Sequence, residues 1–291
     1  MSHVIAAGDL AVEVLPQCGG GIARFDCGAH EVFRRLAVTG ACSAHDLACF
    51  PLVPFSNRIA GGRLPTPDGE LNLACLPGYA PHPIHGLGWQ RPWTVEQSSA
   101  AALVMGHAHG ADAHWPFDYA ARQSLALGPD VLEITLELRN TGAAPMPAGI
   151  GLHPFFPATP LATLTTHVAA QWHADADVLP THPEALAPPL DFSAGRVLAG
   201  TALDNCFAGW SRRARLDWPE RGLVLDIEAS EAFGTLVVYT PPGRSFFCVE
   251  PASHLNNGFQ LAQAGVADTG ARTLAPGETL AGTVRFAPRP D

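Results

Sequence analysis

Leu132-Glu133-Ile134-Thr135-Leu136-Glu137-Leu138-Arg139 alternates a large aliphatic side chain with a polar one at every step. Successive side chains of an extended strand point to opposite faces, so this stretch predicts a strand with one face on a core and one in water. The same grammar extends in both directions. Leu216 and Trp218 lead through Pro219-Glu220-Arg221-Gly222 into Leu223, Leu225 and Ile227, which reads as a hairpin with turn residues where a turn needs them. Near the end, Leu280, Val284 and Phe286 alternate with Thr279, Thr283 and Arg285. Near the start, Leu10, Val12 and Val14 precede Cys18-Gly19-Gly20-Gly21 and then Ile22 to Phe25, a second hairpin. No long stretch repeats at 3.6 residues, and 29 Gly with 27 Pro break the chain too often for long helices. The expected fold is all-β, a large antiparallel β-sandwich. A chain of 291 residues with 47% hydrophobic residues can build it around one core, so a single domain over 1–291 is expected. Between Leu179 and Gly200, Pro180, Pro183, Pro188 and Pro189 would interrupt any regular element, which predicts a long surface connection within that domain.

Composition excludes several kinds of function. The net charge is −10, and the 17 basic residues, all Arg, are scattered, so no nucleic-acid partner is expected. Without lysine, neither Schiff-base catalysis on an amine nor a Walker-type phosphate loop is available. No run of apolar residues is long enough to cross a bilayer, and no membrane partner is expected. The opening MSHVIAAGDLAVEV has no basic segment, and Asp9 and Glu13 interrupt its apolar residues, so the cytoplasm is the expected location. Seven cysteines without a C-x-x-C pair suggest reduced thiols rather than a disulfide framework.

Five short stretches set ionisable groups among apolar or Gly/Pro neighbours: Phe55-Ser56-Asn57-Arg58-Ile59, Ile84 to Trp89, Gly151 to Phe156, Leu203 to Phe207, and Phe246 to Pro251. Desolvation there moves carboxylates and imidazoles toward useful pKa values, although any one of them, taken alone, also fits a satisfied buried polar group. Glu250 is the hardest to explain structurally, because Phe-Phe-Cys-Val-Glu-Pro looks like the end of a buried strand.

Taken in order, Asn57 to Arg63 (NRIAGGR), His85 to Trp89 (HGLGW), Gly151 to Phe156 (GLHPFF), Asp204 to Phe207 (DNCF) and Phe246 to His254 (FFCVEPASH) resemble the motifs of the aldose 1-epimerase, or galactose mutarotase, family. The resemblance implies that family's β-supersandwich and a free sugar as the small-molecule substrate; no cofactor and no metal are expected. It implies Glu250 as the base at the anomeric hydroxyl, His153 as the acid at the ring oxygen and His85 as a second active-site histidine. Asn57, Arg58 and Asp204 would hold sugar hydroxyls, and Trp89 or Phe207 would offer the sugar a flat apolar face, with core packing the alternative for both rings. The chemistry fits, since opening a hemiacetal needs one base and one acid. The PFSNRI and IHGLGW motifs depart from the longer histidine-glycine-glycine motif of galactose mutarotases, which leaves the sugar open. Arg63, Arg91 and Arg244 are the candidates for meeting a phosphorylated or sulfonated hexose.

Other readings remain. A glycoside hydrolase would pair two carboxylates, for which Glu250 and Asp204 are available, and a non-catalytic sugar-binding sandwich would need no acid-base pair. His107, His109 and His114 sit in a Gly/Ala-rich stretch that reads as an exposed loop rather than a metal site, while His82 fits either a pocket or a surface, and His254 could support Glu250 from behind. A monomer or a homodimer is compatible with all of this.

Overall fold

Leu132–Asn140 forms the expected strand: Leu132, Ile134, Leu136 and Leu138 are buried, with half-buried or exposed residues between them. It lies between Tyr119–Leu127 and Thr279–Pro290, antiparallel to both. In the computed structural model, which describes residues 2–35, 46–186 and 191–291, these strands belong to a nine-stranded sheet that runs from Arg196–Val197 at one edge to Thr94–Ser98 at the other. The hairpin read from Leu216 to Ile227 is part of the same sheet, as Arg213–Trp218 and Leu223–Ala229, with a 3-10 turn at Pro219–Arg221 closed by Gly222 at φ 55.

An eleven-stranded sheet packs against it. Its spatial order is His3–Ala7, Leu10–Leu15, Gly21–Cys27, Cys49–Leu52, Gly151–Pro157, Phe246–Ala252, Thr235–Tyr239, Asp204–Ala208, Ala170–Ala174 and Pro180–Ala185, with His30–Phe33 paired on Gly21–Cys27. Aromatic rings join the two sheets. Phe33 meets Phe286 edge-on at 5.0 Å between centroids, and Phe156 lies against both Phe247 and Trp218. The first hairpin is anchored by close approach: Gly19, at φ 62, packs on the Trp89 carbonyl, where an added Cβ would stand 1.9 Å from the oxygen.

The two sheets differ in how their outer faces are covered. The central strands of the larger sheet, Gly151–Pro157 and Phe246–Ala252, are buried at nearly every position. Leu152, Phe156, Phe247 and Val249 face the core between the sheets, whereas Phe155 and Cys248 belong to a second apolar cluster on the outer face with Phe50, Leu52 and Trp89. Loops carrying the N-R-I and H-G-L-G-W motifs cover that outer face and make a site there.

Three expectations are corrected. Pro180 and Pro183 lie within a strand, Pro180–Ala185, which is tolerated because it is the edge of the sheet and a missing N–H can point away from the ladder. Pro188 and Pro189 fall outside the described residues. His107 and His109 lie on the Ala102–His109 strand rather than a loop, with the buried His109 ring 2.9 Å from the Trp115 carbonyl and stacked on Tyr119. Cys18 is disulfide-bonded rather than reduced, while Cys27, Cys49, Cys75, Cys206 and Cys248 are free thiols.

Phe156 is fully buried where the sheets meet, so Phe156→Ala is expected to lower unfolding free energy by about 3–5 kcal/mol. Urea denaturation measures this, and a loss under about 1 kcal/mol would show that the sheets close over the gap.

Candidate active site

Strand register assembles the site. Gly151 pairs with Ala252 and Phe155 with Cys248, so His153 stands directly opposite Glu250. His153 also pairs with Phe50, Glu250 with Val237, and Val237 with Cys206, giving one row of side chains across five strands. A parallel row runs from Phe155 through Cys248 and Tyr239 to Asp204. His153, Glu250 and Val237 from one row and Phe155, Tyr239 and Asp204 from the other line a cavity of about 490 Å³, into which Asn57, Arg58 and His85 descend from the covering loops.

The chemistry centres on a close pair: His153 Nε2 lies 3.4 Å from Glu250 Oε1. Glu250 is 2% exposed, and burial pushes its pKa well above the ordinary carboxylate value, with Asp204 adding to the rise and Arg58 opposing it. Asp204 is also raised by burial and held down in part by Arg58. The His153 ring stacks on Phe50 and Phe155, each at 4.6 Å between centroids, and meets His85 edge-on at 5.3 Å.

His85 is set by backbone geometry. It adopts φ 61, its N–H donates to the Asn57 carbonyl at 2.9 Å, and its Nδ1 accepts the Asn57 N–H at 3.1 Å, so a neutral His85 carries its proton on Nε2. Gly86 follows at φ 67, where a Cβ would come within 2.3 Å of the Val53 carbonyl oxygen, so only glycine lets the loop lie this close. Asn57, itself at φ 59, accepts from Arg58 Nη1 at 3.1 Å and so orients the guanidinium.

Residues just beyond Glu250 secure the Ser56–Ala60 loop by side-chain bonds to its backbone. His254 Nε2 accepts the Ser56 N–H at 3.1 Å, Asn256 Oδ1 the Arg58 N–H at 3.1 Å, and Asn257 Oδ1 the Ala60 N–H at 3.0 Å. His254 donates through Nδ1 to the Leu255 carbonyl, and burial lowers its pKa to about 4, so it serves as a neutral clamp.

Of the residues singled out in the sequence, Asn57, Arg58, His85, His153, Asp204 and Glu250 meet on this cavity. Trp89 does not: it is 1% exposed, stacked on Phe50 at 5.3 Å, with its indole N–H on the Gly86 carbonyl. Phe207 is likewise in the core between the sheets. His82 accepts the Gly61 N–H away from the cavity. Among the candidate cations Arg244 reaches the cavity, Arg91 lies 3.9 Å from Asp112 instead, and Arg63 is exposed on a separate hairpin. Sequence reasoning missed Arg34, Asp46, Tyr79 and Tyr239, which also line the cavity. Arg34 lays its guanidinium over Phe155 and Phe246, at 4.2 and 4.6 Å, and donates to the Leu47 carbonyl. Phe246 and the strand alternation of Val237 with Tyr239 were signals for one wall, but nothing local marks Arg34.

His153, Cys248 and Glu250 bring donor atoms within 4.8 Å of one another. Burial pushes the Cys248 thiol well up, so at neutral pH it stays a neutral thiol beneath the imidazole–carboxyl pair.

The sequence model described as aldose 1-epimerase matches residues 15–287. The uncharacterized protein YphB of Escherichia coli (strain K12) is 29% identical over 285 residues, 95% of each chain. A crystal structure from Escherichia coli K12, provisionally named an aldose 1-epimerase, superposes with a TM-score of 0.92 at 28% identity, covering 100% of this chain and 99% of that one. A galactose mutarotase-like protein from Clostridium acetobutylicum shares the fold at 18% identity, with a TM-score of 0.87 over 99% and 95% of the two chains.

The buried carboxyl predicts a stability signature. In the unfolded chain Glu250 ionises near its ordinary pKa of 4.5, whereas the fold holds the proton to higher pH, so its contribution to stability falls as pH rises through that window. Glu250→Gln, which is neutral throughout, should therefore melt above the wild type at pH 7 to 8 and level with it near pH 4.5. Calorimetry across that range checks this, and a variant less stable than the wild type at pH 8 would contradict it.

Proposed function

The chain belongs to the aldose 1-epimerase family, and on that premise we propose that it is a mutarotase, interconverting the α and β anomers of a free aldose by opening and reclosing its ring. The observation that carries this reading is the His153–Glu250 pair, 3.4 Å apart on the floor of a cavity rich in hydroxyl-binding groups. In the proposed reaction Glu250 as carboxylate takes the proton from the anomeric hydroxyl while His153 delivers one to the ring oxygen, and the C1–O5 bond breaks to leave an aldehyde and a hydroxyl. The carbonyl carbon then turns about C1–C2 and presents its other face. On reclosure the ring oxygen returns its proton to His153 and Glu250 returns its proton to the anomeric oxygen. The pair is thus reset without exchange with water. His85, with its Nε2 proton when neutral, and Arg58 supply donors to sugar oxygens, while Asp204 accepts from a hydroxyl. Trp89, buried behind Phe50, takes no part.

The finer proposal concerns charge. Arg34, Arg58 and Arg244 line a cavity that also holds Asp46 and Asp204, and Arg34 forms a wall of it with Phe246, over which its guanidinium lies at 4.6 Å. That wall suits the anionic group of a phosphorylated or sulfonated hexose. Reading the function as glycoside hydrolysis finds no comparable support, since the carboxyl Glu250 has an imidazole as its immediate partner. A cytoplasmic site of action is part of the same proposal.

Polarimetry or exchange NMR of freshly dissolved α-D-glucose, α-D-galactose and a 6-phosphorylated or sulfonated hexose is the direct test. Acceleration of at least one sugar is expected; binding without acceleration across the set would make the protein a non-catalytic sugar binder. Glu250→Gln and His153→Asn should each lose on the order of 100-fold or more in rate. Because the Glu250 pKa is raised, wild-type activity should fall on acidification well above pH 4.5, and a rate unchanged down to pH 4.5 would remove Glu250 as the base.

A further inference from the structure

We infer that Asn256 is a positioning residue for the sugar, holding the Arg58–Asp204 corner of the site and the turn beside it in one fixed arrangement; the inference rests on the mutarotase reading for what that corner binds. Asn256 is 5% exposed and makes three bonds to three different elements. Its Oδ1 accepts the Arg58 N–H at 3.1 Å, its Nδ2 donates to the Val178 carbonyl, and its own N–H donates to Cys206 Sγ at 3.3 Å. Cys206 lies two residues from Asp204 on the same strand, so on the same face. The amide orientation is fixed by its partners, since turning it over would set a donor against the Arg58 N–H and an acceptor against the Val178 carbonyl.

Val178 is the unusual partner. It adopts φ 61, a conformation that a β-branched residue takes only under constraint. The rest of its turn is well bonded: Asp175 Oδ1 accepts the Asp177 and Leu179 N–H groups at 2.9 Å each, and the Val178 N–H reaches the Asp175 carbonyl at 3.1 Å. The Asn256 amide adds the bond that ties this turn to the site. Val178 and Asn256 border the same small void, on the order of 10 Å³, as Asn57 and Asp204, so the turn is packed directly behind the groups proposed to hold sugar hydroxyls. Arg58 and Asp204 also act on Glu250, Arg58 favouring its carboxylate and Asp204 opposing it. Asn256 therefore sets how well the sugar is held and, through Arg58, how readily Glu250 ionises, without touching the reacting pair itself.

Asn256→Ala should raise KM by about 10-fold or more with a smaller change in kcat, and the acid limb of the pH profile should move up, because a displaced Arg58 no longer favours the Glu250 carboxylate. Val178→Gly supplies the decisive second variant. Glycine takes a left-handed φ without strain, so the turn should stay in place even without the Asn256 amide. The double variant Asn256→Ala/Val178→Gly should then recover the share of the KM loss that comes through the Val178 turn, while the share from the lost Arg58 N–H bond persists, a non-additive rescue that general loosening of the fold would not give. If the alanine variant does not fold, Asn256→Ser, which keeps a short donor, replaces it. An unchanged KM, a matching fall in kcat, or additive effects of the two substitutions would overturn the inference. If the wild type accelerates no sugar, the mutarotase reading has failed on its own, and a crystal structure of Asn256→Ala decides the positioning claim: Val178 displaced from its left-handed φ sustains it, and Val178 still at that φ overturns it.

Discussion

The constraint on which everything else depends is the pairing of Gly151–Pro157 between Cys49–Leu52 and Phe246–Ala252 at the middle of the larger sheet. Side chains of a strand alternate with a period of two, so a slip of one residue would send His153 or Glu250 into the apolar core and bring Leu152 or Val249 to the cavity. The core prevents that slip. Phe156 and Phe247 stack between the sheets at 5.6 Å, and exchanging them for the polar residues of the outer face would bury ionisable groups without partners. Packing on one side of the sheet thus enforces chemistry on the other.

That arrangement carries a standing conflict. A carboxyl buried to 2% exposure destabilises the fold when it ionises, yet Glu250 must ionise to act as the proposed base. The charge of Arg58 offsets this in part. Arg58 favours the ionised form of both Glu250 and Asp204, and its own placement depends on Asn57, Asn256 and the backbone clamp of residues 254–257. Reactivity at one carboxyl is therefore tied to loop geometry several residues away, which is the expected pattern where a functional group is held against its own solvation preference.

Legibility in the sequence followed solvent exposure. Leu132–Asn140 could be read because its outer face meets water, so polar residues mark every second position. The strands that build the site have both faces covered, and their unbroken apolar runs hide the period. There the signal was the exception: a lone Glu in Phe-Phe-Cys-Val-Glu-Pro and a lone His in Gly-Leu-His-Pro-Phe-Phe. For Trp89 the sequence left a sugar platform and core packing both open, and the left-handed turn at His85 and Gly86 sends the indole behind Phe50. Arg34 was invisible for a different reason. It reaches the cavity through sheet order, which sets His30–Phe33 beside Gly21–Cys27, and no local pattern encodes that neighbour. Asn256 was more accessible, since Ser-His-Leu-Asn-Asn is an unexpectedly polar run directly after a buried strand.

The clamp of residues 254–257 on Ser56–Ala60 joins positions separated by 197 or 198 residues. Contacts of such long sequence separation close large loops and form slowly. A chain emerging from the ribosome has made Arg58 and His85 long before the segment that fixes them exists. The smaller sheet is also completed late, because Thr279–Pro290 is its central strand. Until these segments are released the chain is therefore a set of hairpins with apolar faces awaiting partners, and the Ser56–Ala60 loop gains a defined shape only once residues 254–257 have followed.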